Sequence, residues 1–241
     1  MSAVVSQDVR RALVVTAHPD DVDFGAAGTV ATWTAAGIQV SYCVCTHGEA
    51  SGDGSVSRAE MARIREAEQR AAAECVGVRN VTFLDHPDGT VVASIELRRD
   101  IARVIRRVRP DRVLTWSPEI NWQHVPTTHP DHRAVGEAAF AAVYPDARNP
   151  NAHAELLAEG LSPWTVPELW LADGPAWLRN QVVDVTDAFD KRVAALRAHE
   201  SQVGNMPDVE GFVRRFLTEN ARRHGLTDGR LAEEFQVVDT R

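Results

Sequence analysis

Lysine is almost missing from this chain. Of its 26 basic residues only Lys191 is a lysine. The arginines stand singly along helix-period segments, not in a patch with interleaved aromatics, and the formal net charge is −8. That combination excludes a nucleic-acid surface. The lysine deficit points to a compositionally biased genome and carries no mechanism. Cysteine is scarce and odd in number: Cys43, Cys45 and Cys75. Cys43 and Cys45 alternate within an apolar, strand-like run, so they share one face and read as buried reduced thiols. A zinc site built from Cys-x-Cys alone lacks partners. No apolar run approaches the ~20 residues needed to span a bilayer. Met1 to Arg11 holds no apolar stretch ahead of a small-residue cleavage site, which predicts a cytoplasmic protein. Repeats and low-complexity tracts are absent.

What remains is an ordinary globular composition, 44% hydrophobic and 25% charged over 241 residues, enough to bury a sizeable core. Strand-length apolar runs at 11–17, 38–46, 80–85 and 112–117 alternate with helix-period segments near 24–36, 58–76 and 95–108. Ser57 and Glu60 form a capping box for the second helix, which stops at Gly77. Pro110 closes the third, and Pro130 suits the first turn of a fourth. Strands near 168–173 and 181–186, helices near 187–199 and 208–224, and a short strand near 234–238 complete the reading. Residues 145–167, rich in Pro, Asn, Ala and Gly, read as a long surface loop. The alternation predicts one α/β domain over residues 1–241: a Rossmann-like, mainly parallel sheet with helices on both faces.

His-Pro-Asp occurs three times, at His18, His86 and His129. Six of the nine histidines (His18, His47, His86, His124, His129 and His132) directly follow a predicted strand, so a parallel sheet gathers them at one edge. With strand order 3-2-1-4-5, the crevice where ligands bind lies between strands 1 and 4. The first and third triplets then face each other across it. A catalytic zinc site takes three protein ligands of the His/His/carboxylate kind and leaves a position open for water. His18, Asp21 and His132 supply that set. Asp20 and His129 are left over, and hydrolysis needs a base and an acid beside the ion.

AHPDD with Gly28 following, and HPDH ahead of a helix, resemble the PIG-L/LmbE-like family of zinc-dependent N-acetylglucosaminyl deacetylases. IREAEQRAAAECVGV, FLDHPDGTV, VIRRVRPDRVLTWSP, VDVTDAFDKRVAALRAHESQ and LAEEF look like further landmarks, in order along nearly the whole chain. The resemblance implies His18, Asp21 and His132 as metal ligands, for zinc or, with the same donors, iron(II). It implies Asp20 as the general base acting on the zinc-bound water, whose pKa the ion brings to about 7. It implies His129 as oxyanion stabiliser or general acid, and Asp131 as the carboxylate that orients an imidazole. Asp88 and Arg65 would contact the substrate sugar, while His86 stays a loop residue. The implied substrate is a small N-acetylated amino sugar conjugate, with no nucleic-acid partner and no membrane span. A homo-oligomer is allowed for.

Three alternatives stay open at this level: an amidase acting on thiol or natural-product conjugates, a non-catalytic metal- or sugar-binding relative, and a nucleotide-binding protein. The last fits poorly, because Asp23 stands where the dinucleotide fingerprint needs its first glycine, leaving only Gly25 and Gly28. Gly25 and Gly28 instead suit a close approach of the first helix to the sheet. His47, Gly48 and Glu49 occupy a flexible-looking loop, and His199 ends a helix with its role open. Trp122 and His124 are candidates for the mouth. Specificity or oligomer contacts are expected in 145–180, with Trp164, Trp170 and Trp177.

Overall fold

The computed structural model describes residues 9–241. Its elements run β1 (Arg11–Thr16), α1 (Asp21–Gly25), α2 (Ala27–Ala35), β2 (Gln39–Val44), α3 (Arg58–Cys75), β3 (Asn80–Phe83), α4 (Ile95–Val108), β4 (Arg112–Trp116), α5 (Pro130–Ala141), α6 (Ala154–Ala158), β5 (Glu168–Ala172), β6 (Gln181–Asp184), α7 (Phe189–Arg197), α8 (Glu200–Val203), α9 (Val209–Arg223) and β7 (Ala232–Asp239). The strands form one sheet in the order β3-β2-β1-β4-β5-β7-β6. The first five are mutually parallel, and β7 runs antiparallel to both β5 and β6. Strand order reverses between β1 and β4, as the alternation of elements predicts.

Each central strand is apolar on both sides because both faces are covered. Ala12 and Val14 of β1 enter one core, against α2, α3, α7 and α9. Leu13 and Val15 enter the other, against α4, α5 and α6. Cys43 and Cys45 lie in that second core, unpaired and buried. No helix among the described residues is long and apolar enough to cross a membrane.

Two sequence expectations change. The first helix breaks in two at Ala26, whose φ is −147°. The break is made from afar: the Glu233 carboxylate of β7 accepts from the amides of Gly28 (2.9 Å) and Thr29 (2.7 Å), starting a second helix there. A Cβ on Gly28 would come within 2.7 Å of that carboxylate and 2.9 Å of Val185 Cβ, so glycine is required for the approach. A nucleotide phosphate would need this same helix N-terminus, and a carboxylate fills it.

Segment 145–167 is also not a plain surface loop. Ala147, Leu156 and Val166 are buried in the second core. The Arg106 guanidinium, on α4, donates to the carbonyls of Asp146 (3.0 Å), Ala147 (3.1 Å), Asn149 (2.8 Å) and Ala152 (3.1 Å). One side chain thus gathers four carbonyls of irregular backbone, of which those of Ala147 and Asn149 also accept from the amides of Trp164 and Ala152. Arg106→Met should cost about 3 kcal/mol of unfolding free energy, since buried acceptors lose their donor. Urea denaturation checks this; an unchanged midpoint would mean the segment holds itself.

Candidate active site

The site starts with a strained turn. After β1 the chain must reverse within His18-Pro19-Asp20 to enter α1, and Asp20 adopts φ 84°, ψ −25°. Aspartate tolerates this left-handed conformation better than most residues, yet it costs energy unless surroundings enforce it. Helix α3 does so with two side chains one turn apart. Arg65 donates to Pro19 O (2.6 Å) and Gly48 O (3.0 Å) and pairs with Asp20 Oδ2 at 3.0 Å. Gln69 Oε1 accepts from the Asp20 amide at 2.8 Å. Gln69 in turn donates to Asp23 Oδ2 (2.9 Å), which also meets His199 Nε2 at 2.8 Å. Gln69, Asp23 and His199 are all 0% exposed. Burial raises the Asp20 carboxyl to about 6, against the pull of Arg65.

Asp21 faces inward from the same turn. Its Oδ2 accepts from the amides of Ala17 (3.0 Å) and His18 (2.8 Å) and from Trp116 Nε1 (3.2 Å). Its Oδ1 lies 3.0 Å from His132 Nε2 and 3.6 Å from His18 Nδ1, and those two nitrogens are 3.3 Å apart. His132 stacks on Trp116 with centroids 4.6 Å apart.

The other edge of His18 is also occupied. Nε2 lies 3.1 Å from Asp88 Oδ1 and 3.3 Å from Asp131 Oδ2. Asp131 is held by the amides of Gly89 (2.8 Å) and Val91 (3.2 Å), and Asp88 Oδ2 by that of Ala50 (2.7 Å). Thus the middle His-Pro-Asp turn is stitched to both outer ones. Burial opposes a charge on His18, but Asp21 and Asp88 overcome it and raise its pKa to about 11. His132 is likewise raised by Asp21 against burial. Two imidazole nitrogens 3.3 Å apart cannot both carry protons toward each other. One N–H donating to the other ring's lone pair satisfies the pair, and so does a cation held between the two lone pairs.

His129 caps α5 through its ring: Nδ1 accepts from the Asp131 amide at 3.2 Å. A neutral His129 in this cap carries its proton on Nε2. Burial, together with His18 and His132, lowers its pKa. One ring nitrogen each of His18, His129 and His132 falls within 4.8 Å of the others, and so do ligand atoms of His18, Asp88 and Asp131.

All eight residues singled out in the sequence come together here, and all but Asp131 line one cavity of about 650 Å³. Asp88 and Arg65 arrive already engaged, with His18 and Asp20 respectively. Of the weaker candidates, His124 lines the cavity, whereas Trp122 is 75% exposed and does not. His86 turns away to Asp100 Oδ2 at 3.3 Å. His47 stacks on Phe83. Trp164 and Trp170 pack into the cores, so segment 145–180 contributes only Asp173 to the cavity. Sequence reasoning missed Trp116, Gln69 and Asp173. The spacing of Gln69 four residues after Arg65 was the one signal for it.

Fold and site together define an α/β protein with a histidine and carboxylate cluster able to hold a metal ion at the switch point of its sheet. The chain belongs to the PIG-L family: residues 13–143 match the family described as GlcNAc-PI de-N-acetylase. It is 35% identical to diacetylchitobiose deacetylase of Thermococcus kodakarensis, over 96% of this chain and 84% of that protein. It is 30% identical to 1D-myo-inositol 2-acetamido-2-deoxy-alpha-D-glucopyranoside deacetylase of Rhodococcus jostii, over 95% and 91%. Among solved structures, N,N'-diacetylchitobiose deacetylase from Pyrococcus horikoshii superposes with a TM-score of 0.86 at 29% identity, covering 97% of this chain and 85% of that one.

Proposed function

We propose that this protein is a metal-dependent hydrolase that removes the N-acetyl group from an N-acetylglucosamine-type amino sugar conjugate. The observation that carries the reading is the triangle of Asp21 Oδ1, His18 Nδ1 and His132 Nε2, with edges of 3.0, 3.3 and 3.6 Å. Ligands about 2.0–2.1 Å from a tetrahedral zinc ion stand roughly 3.3 Å apart. The His18, Asp88 and Asp131 grouping fits less well, having one imidazole where the triangle has two. Asp131 and Asp88 serve better by holding the His18 proton on Nε2, which presents the Nδ1 lone pair to the triangle. Zinc suits the donors, and iron(II) is compatible with them.

A bound ion would polarise both a water molecule and the amide carbonyl. Asp20, raised by burial and steadied by Arg65, takes the water's proton. His129 hydrogen-bonds through its Nε2–H to the oxygen that gains charge at the carbonyl, and the proton that Asp20 has taken passes to the departing amine. The cap on Nδ1 keeps this tautomer in place. Of the two roles given to His129, the neutral donor is favoured by that cap.

Zinc or iron near one per chain, with amine released from an N-acetylglucosamine conjugate and lost on chelation, is the expected result. A metal-loaded protein inert on every N-acetylated sugar would overturn the reading. Asp131→Asn should weaken metal affinity about 10–100-fold, measured by competition with a chromogenic chelator. Unchanged affinity would remove Asp131 from the orienting role.

A further inference from the structure

His199 is fully buried, yet the chemistry above gives it no part. It stands between α7 and α8, within AHESQ, and that stretch is fastened to α3. The Ser201 amide and hydroxyl donate to Glu68 Oε1 and Oε2 at 2.7 and 2.6 Å. Glu68 is followed on α3 by Gln69, which reaches the Asp20 turn. One helical segment thus joins His199 to the residue assigned as base.

The polarity of the contacts between them is forced from the turn outward. The Asp20 amide can only donate, so the Gln69 atom 2.8 Å away is Oε1. Gln69 Nε2 then points to the other side and needs an acceptor, which Asp23 Oδ2 provides at 2.9 Å. The same oxygen meets His199 Nε2 at 2.8 Å. A carboxylate only accepts, so the ring nitrogen is the donor.

Gln69, Asp23 and His199 are each 0% exposed, and a charge buried so deeply needs donors facing it. Without the imidazole, Asp23 keeps a single neutral donor, and an under-paired buried charge drives the side chain toward other partners. Gln69 then loses its acceptor. An amide free to turn over can set its N–H against the Asp20 N–H. None of the three lines the cavity. Asp20 does, at φ 84°, a conformation that its surroundings must enforce.

We propose that His199 and Asp23 are positioning residues for the general base. Together they fix the Gln69 amide with its oxygen toward the Asp20 N–H, and so hold the Asp20 carboxylate toward the cavity. The inference rests on the deacetylase reading and adds to it what keeps the base aimed.

A double-mutant cycle tests it, read as kcat per equivalent of bound metal, a measure that counts folded chains alone. The substrate is N,N'-diacetylchitobiose or the inositol glycoside of N-acetylglucosamine, whichever the native protein cleaves faster. Gln69→Met removes both amide contacts at similar volume. Misplacing a reacting group by about 1 Å can cost about 10²-fold, so kcat should fall about 10–100-fold with KM and metal content unchanged. In the Asp20→Asn background the same substitution should change kcat by less than about twofold, because the group it aims is already gone. His199→Ala should repeat the loss. His199→Gln, whose amide nitrogen can donate from the place of the lost ring nitrogen, should restore most of it. Equal falls in both backgrounds, a rise in KM with kcat intact, loss of metal, or a His199→Gln no better than His199→Ala overturns this proposal and leaves the deacetylase reading standing. A native protein inert on every N-acetylated sugar overturns the deacetylase reading and this proposal with it.

Discussion

His132→Ala is expected to empty the metal centre and to lower kcat/KM by at least about a thousandfold, the several kcal/mol that a Lewis-acid centre contributes. The residue supplies one corner of the three-atom triangle, 3.0 Å from Asp21 Oδ1 and 3.3 Å from His18 Nδ1. Without it only two protein donors remain, too few for a catalytic zinc site of the three-ligand kind. Its ring also covers Trp116, so some packing energy goes with it, and circular dichroism should show the fold retained. Elemental analysis of the purified variant decides the matter. A full equivalent of metal in His132→Ala would place the ion instead on the Asp88 and Asp131 side of His18.

Asp20→Asn should behave differently: metal retained, kcat lowered by about 10²–10⁴, the range for losing a positioned general base. Its carboxylate is the only part of the turn that asparagine cannot reproduce as a proton acceptor, whereas the backbone grip of Arg65 and Gln69 survives. Arg65 loses its acid partner in this variant, which leaves a buried guanidinium held by two carbonyls alone. Some loss of stability therefore accompanies the loss of rate. Single-turnover kinetics at saturating metal separate the two effects. Loss of metal along with activity would make Asp20 a ligand and not a base.

Much of the architecture could be read before any coordinates. β1 and β4 are buried on both faces, so their apolar runs are continuous, and strand–helix alternation orders the first four strands around the switch point. The convergence of the His18 and His129 turns follows from that order. Local pattern fails where a distant residue decides. Nothing between residues 24 and 36 announces a break at Ala26, because Glu233 makes it. Nothing in 145–167 shows burial, because part of its hydrogen bonding comes from Arg106 on α4. The engagement of Asp88 with His18 was hidden behind an Asp-Gly turn, which reads the same whether its carboxylate faces solvent or an imidazole. Asp173 is a single polar residue at a strand end, where sequence gives no hint of what it faces, and Gln69 is marked only by its spacing of four residues from Arg65.

The Glu233 contact has a kinetic side. Gly28 and Glu233 are 205 residues apart, and closing so long a span comes late in folding because its entropy must be lost before any contact repays it. Until β7 docks, α2 lacks its capping carboxylate, and α1, which carries Asp21, is seated against an unfinished neighbour. Competence for chemistry is therefore expected to trail the collapse of the β1–β4 half of the sheet. The two ends of the described chain are tied together at the one helix start that a nucleotide enzyme would have kept open.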